Sequence, residues 1–457
     1  MYKVTAHFKR ITDSIKVAMR FLVMVFSLML IQCSDHHDIG KLDEFSKLQL
    51  VEWNRKLTDV IIADIFTPPV ASRLYAYPNI AAYEAMRFLD VGHQSYAGRL
   101  KGLGAMPEPK TSEEYYFPLA GATAFTTVAR ELVYNRQAIE TLENKYFDSI
   151  QNVGINSKVF ERSVNFGREV GNRILTWAGE DGYNQRTSLM GYQVDRDPGR
   201  WQPTPPDYME AIEPHWGTLR TFVLDSANQF MPGMPTAFDT IPNSKFYQET
   251  LEVYETVKGL DDEQLAIAKF WDCNPNISFT QGHVMYFHQQ ISPGGHWVHI
   301  TAQVLEEKDR GPLYEAEIFS KVCITLADAF ISCWDEKYRS NLIRPETYIN
   351  RYIDTDWNPI LQTPAFPEHT SGHSVASSSA ATMLTHLIGD NYAFIDSTEV
   401  PFGLPPRDFK SFYEASEEAA ISRLYGGIHY LPAIKKGVDQ GRNIGEFIIK
   451  KLEEHGE

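Results

Sequence analysis

Three short segments near the C-terminus of this 457-residue chain contain two histidines and, besides Arg339, the three cations Lys337, Arg344 and Arg423. The segments are Lys337-Tyr-Arg-Ser-Asn-Leu-Ile-Arg344-Pro345, Ser371-Gly372-His373 and Ser422-Arg423 followed by His429. Two like charges held close together in a protein repel by about 4 kcal/mol at an effective dielectric of about 20. If the segments share one site, an anion must therefore lie between the cations.

The first segment predicts two cations on one helix face. Lys337 and Arg344 are seven residues apart, which is nearly two helical turns and about 10 Å along the axis. Pro345 cannot continue a helix, so we expect the helix to end at the second cation.

The other two segments predict loops that point inward. Ser371-Gly372-His373 lies between a proline-containing stretch and an apolar run, so it reads as a loop opening onto a helix whose free N–H groups would face an anion. Arg423 and His429 would lie on different faces of a continuous helix, but Gly426-Gly427 between them can bend the chain.

Together the segments resemble the signature of the vanadium-dependent haloperoxidases and type 2 phosphatidic acid phosphatases, which form one superfamily. The pattern is Lys-x6-Arg-Pro, Pro-Ser-Gly-His and Ser-Arg-x5-His-x3-Asp. This chain departs from it at Thr370, in place of a proline, and at Ala433, in place of the final Asp. Pro198–Pro206 and Ser292–Ile300 are similar to the soluble bacterial branch. The resemblance implies an all-α fold of helical bundles with an oxyanion at the end of one bundle.

The resemblance also implies a role for each site residue around vanadate, or phosphate in the same place. Lys337, Arg344, Ser371, Gly372 and Arg423 would bind the oxyanion. His429 would be the axial vanadium ligand in a peroxidase or the nucleophile in a phosphatase, and His373 the general acid/base in either. Trp334 and Phe366 occupy positions that flank the halide pocket of related chloroperoxidases.

Ala433 removes the partner that would orient the axial histidine. A carboxylate in that place fixes the tautomer and basicity of a histidine ligand. We expect His429 to find another partner, such as a backbone carbonyl or the carboxylate of Asp439.

Each feature also has an ordinary explanation. The cations near Lys337 could form a solvated helix face, Ser371 could be only a helix cap, and His429 only a buried core histidine. The other histidines raise a zinc hypothesis, which their spacing disfavours. His369 and His373 straddle a predicted helix start, and the group His283, His288, His296 and His299 lacks an H-E-x-x-H pattern.

The N-terminus predicts export. Five cations precede an apolar run of about eleven residues, too short for a stable span, and Cys33 follows it as in a bacterial lipoprotein. We expect a signal peptide at 1–32, lipidation at Cys33 and a periplasmic or surface location.

Cleavage would change the net charge of the chain from −16 to −20, which excludes nucleic acid binding through the overall electrostatic field. The remaining cysteines, at 273, 323 and 333, imply no disulfide framework.

Helical periodicity dominates the rest of the chain. Helices are predicted near 42–66, 71–88, 118–152, 157–180, 244–258, 262–272, 296–307, 313–339, 373–389, 409–425 and 435–454. We assign an N-terminal half at 33–243 and a C-terminal catalytic half at 244–457. A proline-rich crossover at 184–243 joins them and is expected to cover the mouth of the site.

Three functions remain open. The first is an exported enzyme that oxidises halide with hydrogen peroxide on vanadate. The second is a phosphatase acting on phosphomonoesters or lipid phosphates through a phosphohistidine. The third is a phosphate-binding lipoprotein without turnover. The sequence leaves the halide, the organic acceptor and the oligomeric state undetermined.

Overall fold

The computed structural model describes residues 39–287 and 289–454. It is built from α-helices connected by long ordered loops. In chain order they are α1 (Ile39–Ser46), α2 (Gln49–Ala63), α3 (Pro68–Met86), α4 (Phe117–Leu132), α5 (Arg136–Val153), α6 (Ser157–Ala178), α7 (Lys245–Lys258), α8 (Asp262–Phe270), α9 (Pro293–Lys308), α10 (Pro312–Ser340), α11 (Pro345–Tyr352), α12 (Gly372–Ile388), α13 (Phe412–Tyr425) and α14 (Leu431–Glu453).

Strands are few and short in the described residues, which agrees with the expected all-α class. One antiparallel hairpin pairs β1 (Ser278–Gln281) with β2 (Val284–Phe287). A second pairs β3 (Phe394–Asp396) with β4 (Arg407–Phe409). Short 3₁₀ turns occur at Arg87–Leu89, Gln185–Ser188, Trp216–Thr218 and Val400–Phe402.

Helix α10 lies between two groups of helices and packs against both. It is 29 residues long and is buried on nearly all sides from Ala316 to Trp334. A helix that is apolar all round must be covered on every face. Here α3, which packs with α4 and α6, covers one side, and α12, which packs with α13 and α14, covers another. The C-terminal end of α10 thus meets the start of α12, where two of the signature segments come together.

Two predicted helices are each split in the structure. The stretch 42–66 breaks at Lys47–Leu48 between α1 and α2, and 118–152 breaks at Val133–Asn135 between α4 and α5. At the second break the Asn135 side chain accepts from the backbone N–H of Ala138 and so begins a new helix. Periodicity alone did not separate helices joined by such short connections.

The crossover at 184–243 packs against the elements that carry the site. Trp201 donates its backbone N–H to the Asn341 carbonyl at 3.0 Å, and Ile212 donates to Ala365 at 2.9 Å. The Ile212 carbonyl in turn accepts from Trp334 Nε1 at 3.2 Å. None of the described residues lining the active-site cavity belongs to this segment, and that it covers the mouth stays a prediction.

The described residues include no helix that is both long and apolar enough to cross a membrane. The predicted signal peptide and Cys33 lie outside the described residues. Cys273, Cys323 and Cys333 are all buried and free, as expected from the sequence.

A line of glycines lets α14 approach α12 closely. Gly437, Gly441 and Gly445 are spaced four residues apart on one face of α14. A Cβ added at Gly441 would lie 2.1 Å from Ser378 Oγ and 2.3 Å from the Val375 carbonyl oxygen. The backbone itself would have to move, because Val375 lies inside α12.

We predict that Gly441→Ala destabilises the protein. Overpacking at a contact with backbone costs about 1–3 kcal/mol, so the midpoint of thermal unfolding should fall. Gly191→Ala is the control, since a Cβ at Gly191 meets nothing within 4 Å, and should leave the midpoint unchanged. Equal stability of the two variants would show that the interface between α12 and α14 has more space than the structure indicates.

Candidate active site

Lys337 is fully buried in the last turn of α10 and directs its ammonium group at backbone carbonyls. Nζ donates to the carbonyls of Pro367 and Glu368 at 3.1 Å each and to that of Thr370 at 2.5 Å. Burial, with the nearby charge of Arg344, lowers the pKa of Lys337 to about 7. The ammonium is therefore held in place but is poorly compensated by formal negative charge.

Arg344 does not share a helix with Lys337, so that part of the prediction was wrong. The helix carrying Lys337 ends at Ser340, because Asn341 takes a left-handed conformation with φ of 48°. Arg344 is the N-cap residue of α11, and Pro345 begins that helix instead of ending the earlier one. Proline is favoured at this first helical position because its missing N–H is not needed there.

Arg344 has one guanidinium nitrogen left over for a ligand. Nε donates to the Phe366 carbonyl at 2.8 Å and Nη1 to the Ile428 carbonyl at 2.9 Å. Nη1 also lies 3.1 Å from His429 Nε2. Nη2 is buried and has no hydrogen-bond partner in the described structure. An orphaned charged donor in a protein interior is costly, so this nitrogen indicates a place for an acceptor.

Arg423 completes the trio of cations from the last turn of α13. Its Nη2 donates to the Trp271 carbonyl at 2.5 Å and its Nε to Ser422 Oγ at 2.9 Å. Burial lowers the pKa of Arg423, while the charge of Asp272 raises it. The Asp272 carboxyl is itself buried, and burial raises its pKa to about 6.

Ser371, Gly372 and His373 form the start of α12, as predicted. Ser371 is the N-cap residue, and its Oγ accepts from the Ser374 N–H at 3.3 Å. The backbone of Trp271 hydrogen-bonds the His373 ring, and Nε2 is left buried without a partner within the described residues. Burial lowers the pKa of His373 well below its usual range, and Arg423 lowers it further. The ring is therefore neutral and able to accept a proton.

Glu368 supplies the carboxylate that Ala433 lacks. Its Oε1 lies 2.7 Å from His429 Nδ1 and accepts the Tyr430 N–H at 3.0 Å. Neither a backbone carbonyl nor Asp439 takes this role; Asp439 is exposed on α14. Ala433 contributes its carbonyl, which accepts from the Ser371 N–H at 3.2 Å.

The bond from Glu368 decides which nitrogen of His429 is available. With Nδ1–H donated to the carboxylate, Nε2 carries the lone pair and faces Arg344. Burial and the neighbouring cations lower the pKa of His429 well below its usual range, so the ring is neutral, as a ligand must be. Gly427 makes the bend that brings the ring here, with φ of 77°, as the sequence predicted.

A small cavity lies among these groups and is apolar on one side. Trp334 and Phe366 line it together, with ring centroids 4.9 Å apart. Lys337 Nζ lies 4.9 Å from the Phe366 ring centroid and the Arg344 guanidinium carbon 5.0 Å. The remaining lining residues are Pro68, Cys273, Asn274, Pro293, Phe330, Pro364, Gly372, His373, Ile428 and His429.

The other histidines named from the sequence do not join this cavity. His296 is fully buried but is absent from the cavity lining; it stacks on Trp271 with centroids 4.5 Å apart. His369 lies in the loop before α12, where burial lowers its pKa to about 3. His283 is exposed in the turn of the first hairpin, and His288 lies outside the described residues.

Sequence reasoning missed Glu368 and Trp271. Glu368 is a carboxylate three residues before Ser371 in a loop otherwise rich in proline, and a charged residue next to a predicted buried site was the available signal. Trp271 contributes a backbone carbonyl. A main-chain acceptor leaves no signature in residue type, so only the fold could reveal it.

The comparisons with known proteins agree with this geometry. A family model described as the VCPO second helical-bundle domain matches residues 317–457. The crystal structure of the first bacterial vanadium-dependent iodoperoxidase is similar to this chain, with 46% sequence identity and a TM-score of 0.84 over 88% of this chain and 96% of that one. This chain belongs to the vanadium-dependent haloperoxidase family. It is a haloperoxidase-like enzyme, which confirms the family, the fold class and the enzyme class expected from the sequence.

A bacterial vanadium-dependent chloroperoxidase shares the fold at much lower identity. Its holo and apo structures each give a TM-score of 0.64, at 16% and 15% identity. The matches cover 85% of this chain and 93% and 94% of those chains. No curated protein matched.

We predict that Glu368→Gln weakens binding of vanadate by about tenfold or more. Loss of an outer-shell partner to a histidine ligand typically costs about 10–100-fold in affinity, and an amide no longer selects the Nδ1–H tautomer. Titration calorimetry with orthovanadate would measure it. Asp439→Asn is the matched control, and an equal loss there would mean that Glu368 does not orient His429.

We also predict that binding of sulfate weakens as pH rises through about 7. Lys337 loses its proton in this range, and Glu368, whose pKa burial raises to about 7, becomes charged. Sulfate keeps a fixed charge near neutral pH, so the change reports on the protein. Lys337→Met should bind sulfate more weakly, with a flatter pH dependence. An unaltered pH profile in that variant would place the anion elsewhere.

Proposed function

We propose that this protein oxidises halide with hydrogen peroxide, using vanadate held between Lys337, Arg344 and Arg423, and that iodide is its preferred halide. The main support for this proposal is the 46% identity to a bacterial iodoperoxidase over 88% of the chain. The enzyme class follows from family membership. The choice of iodide rests on that relative alone.

The residues present suit an oxyanion such as vanadate. Arginine offers planar paired donors that match oxyanion geometry, and Arg344 has a buried Nη2 without a partner in the described structure. Burial disfavours the charged forms of Lys337 and Arg423. A bound anion would offset this cost. The Gly372 backbone lies at the N-terminus of α12, where N–H groups favour negative charge.

His429 and His373 divide the chemistry between them. His429 Nε2, freed by the Glu368 bond, is the nitrogen suited to bind vanadium. Bound vanadate supplies Lewis-acid activation of peroxide toward attack by halide. His373, neutral and with Nε2 open, accepts a proton from incoming peroxide and returns it to the leaving oxygen.

The apolar side of the cavity is proposed to receive the halide. Trp334, Phe366 and Phe330 present ring edges and faces there. A large, weakly hydrated anion such as iodide loses less on leaving water than a small one does. The nearby Lys337 and Arg344 charges favour an anion against these rings.

The phosphatase alternative uses the same groups. Phosphate in place of vanadate would put His429 in position to act as a nucleophile, with His373 protonating the leaving alcohol. The comparisons favour the peroxidase, since the similar structures are named for halide oxidation. Phosphate remains a candidate occupant of the site and a competitor of vanadate.

Export and lipidation also belong to the proposal. The support is the N-terminal pattern of cations, a short apolar run and Cys33. The proposed location is the periplasm or the cell surface of a bacterium, with the lipid as the membrane anchor.

We predict vanadate-dependent oxidation of iodide by the purified full-length chain in hydrogen peroxide, faster than oxidation of bromide. Triiodide formation with and without orthovanadate measures it, and hydrolysis of an aryl phosphate is assayed in parallel. Hydrolysis that vanadate only inhibits would contradict the peroxidase and assign the site to phosphate esters. No activity in either assay would favour an anion-binding protein without turnover.

We predict that His373→Ala abolishes iodide oxidation while vanadate binding is largely retained. General acid/base catalysis contributes about 10²–10⁴-fold, and the cations that bind the anion remain. His386→Ala, at the exposed end of the same helix, is the control and should keep full activity. Full activity in His373→Ala would mean that the site is assigned to the wrong residues.

A further inference from the structure

A second cluster of ligand-type side chains lies behind the active-site cavity. Cys273, His296 and Glu399 are buried and direct Sγ, Nδ1 and Oε1 at one another. The Sγ to Nδ1 distance is 3.3 Å, Nδ1 to Oε1 is 3.1 Å, and Sγ to Oε1 is 3.9 Å. The three donors come from three different parts of the chain.

These separations match those around a tetrahedral metal ion. Bond lengths of about 2.0–2.3 Å to oxygen, nitrogen and sulfur place the donor atoms about 3.3–3.6 Å apart at tetrahedral angles. The three observed distances bracket that range. A thiolate, an imidazole and a carboxylate together suit a borderline ion such as Zn²⁺.

The second nitrogen of His296 has the partner that metal-bound histidines usually have. Nε2 lies 2.7 Å from Asp396 Oδ2. Asp396 is fully buried, and its Oδ1 accepts the Thr398 N–H at 2.9 Å. A carboxylate in this position fixes Nε2 as the protonated nitrogen and leaves Nδ1 for a metal. This contact is independent of the three-donor cluster and points to the same ligand.

We propose that Cys273, His296 and Glu399 form a binding site for a divalent zinc-type cation. A metal ion binds a thiolate and a neutral imidazole, so binding at this cluster requires Cys273 to lose its thiol proton and leaves Nδ1 unprotonated.

The proposed metal site adjoins the active-site cavity and contacts Trp271, which binds Arg423. Cys273 also lines the active-site cavity, so the cluster adjoins a space from which an ion can enter. Trp271 stacks on His296, and its carbonyl accepts from Arg423. A bound ion would fix the segment from Trp271 to Cys273 and, through it, the position of the Arg423 guanidinium.

The test is metal binding by the full-length chain after chelator treatment. Titration with Co²⁺ should give one equivalent bound, a thiolate-to-cobalt charge-transfer band, and release of protons measured in weak buffer. Cys273→Ser should abolish the band. Cys323→Ser, another buried free cysteine, should retain it, as should Cys33→Ser, which removes the cysteine closest in sequence to His36 and His37.

X-ray absorption on the wild-type protein loaded with Zn²⁺ tests the proposal without relying on a variant that folds. One sulfur and the rest nitrogen or oxygen donors would support it. Binding that survives Cys273→Ser, a zinc shell without sulfur, or no binding of a first equivalent would overturn it. The cluster would then be a hydrogen-bonded group of the protein core.

Discussion

The constraint on which this structure depends is the burial of Lys337, Arg344 and Arg423 close to His429. Each loses hydration, and the backbone carbonyls that receive them offset only part of that loss. The ends of α10, α12 and α13, together with the N-cap of α11, must converge for those carbonyls to be in reach. Packing of these helices and formation of the cationic site are therefore coupled.

Glu368 shows how a missing signature residue can be replaced from another part of the chain. The family pattern would place an aspartate four residues after His429, where this chain has Ala433. The same interaction comes from a loop 61 residues earlier, at 2.7 Å from Nδ1. What matters physically is a buried acceptor on that nitrogen. A departure from the pattern at Ala433 therefore does not by itself indicate weakened chemistry.

Local signals in the sequence were sufficient for several parts of the site. The Ser371 cap and the bend at Gly427 depend on residues adjacent in the chain, and the structure has both. The shared helix for Lys337 and Arg344 failed, because Asn341 takes a left-handed conformation that spacing does not reveal. Glu368, Trp271 and the cluster at Cys273 depend on contacts between distant segments. These contacts could not be predicted before the fold was known.

The central claim is that the bond from Glu368 keeps the lone pair of His429 on Nε2, where it can bind vanadium among the three cations. A crystal structure of the protein with orthovanadate tests it most directly. The account predicts vanadium bonded to His429 Nε2, with Arg344 Nη2 donating to one of its oxygens and Glu368 still bound to Nδ1. Vanadium bonded through Nδ1, or bound with no imidazole ligand, or found outside the cavity, would contradict it.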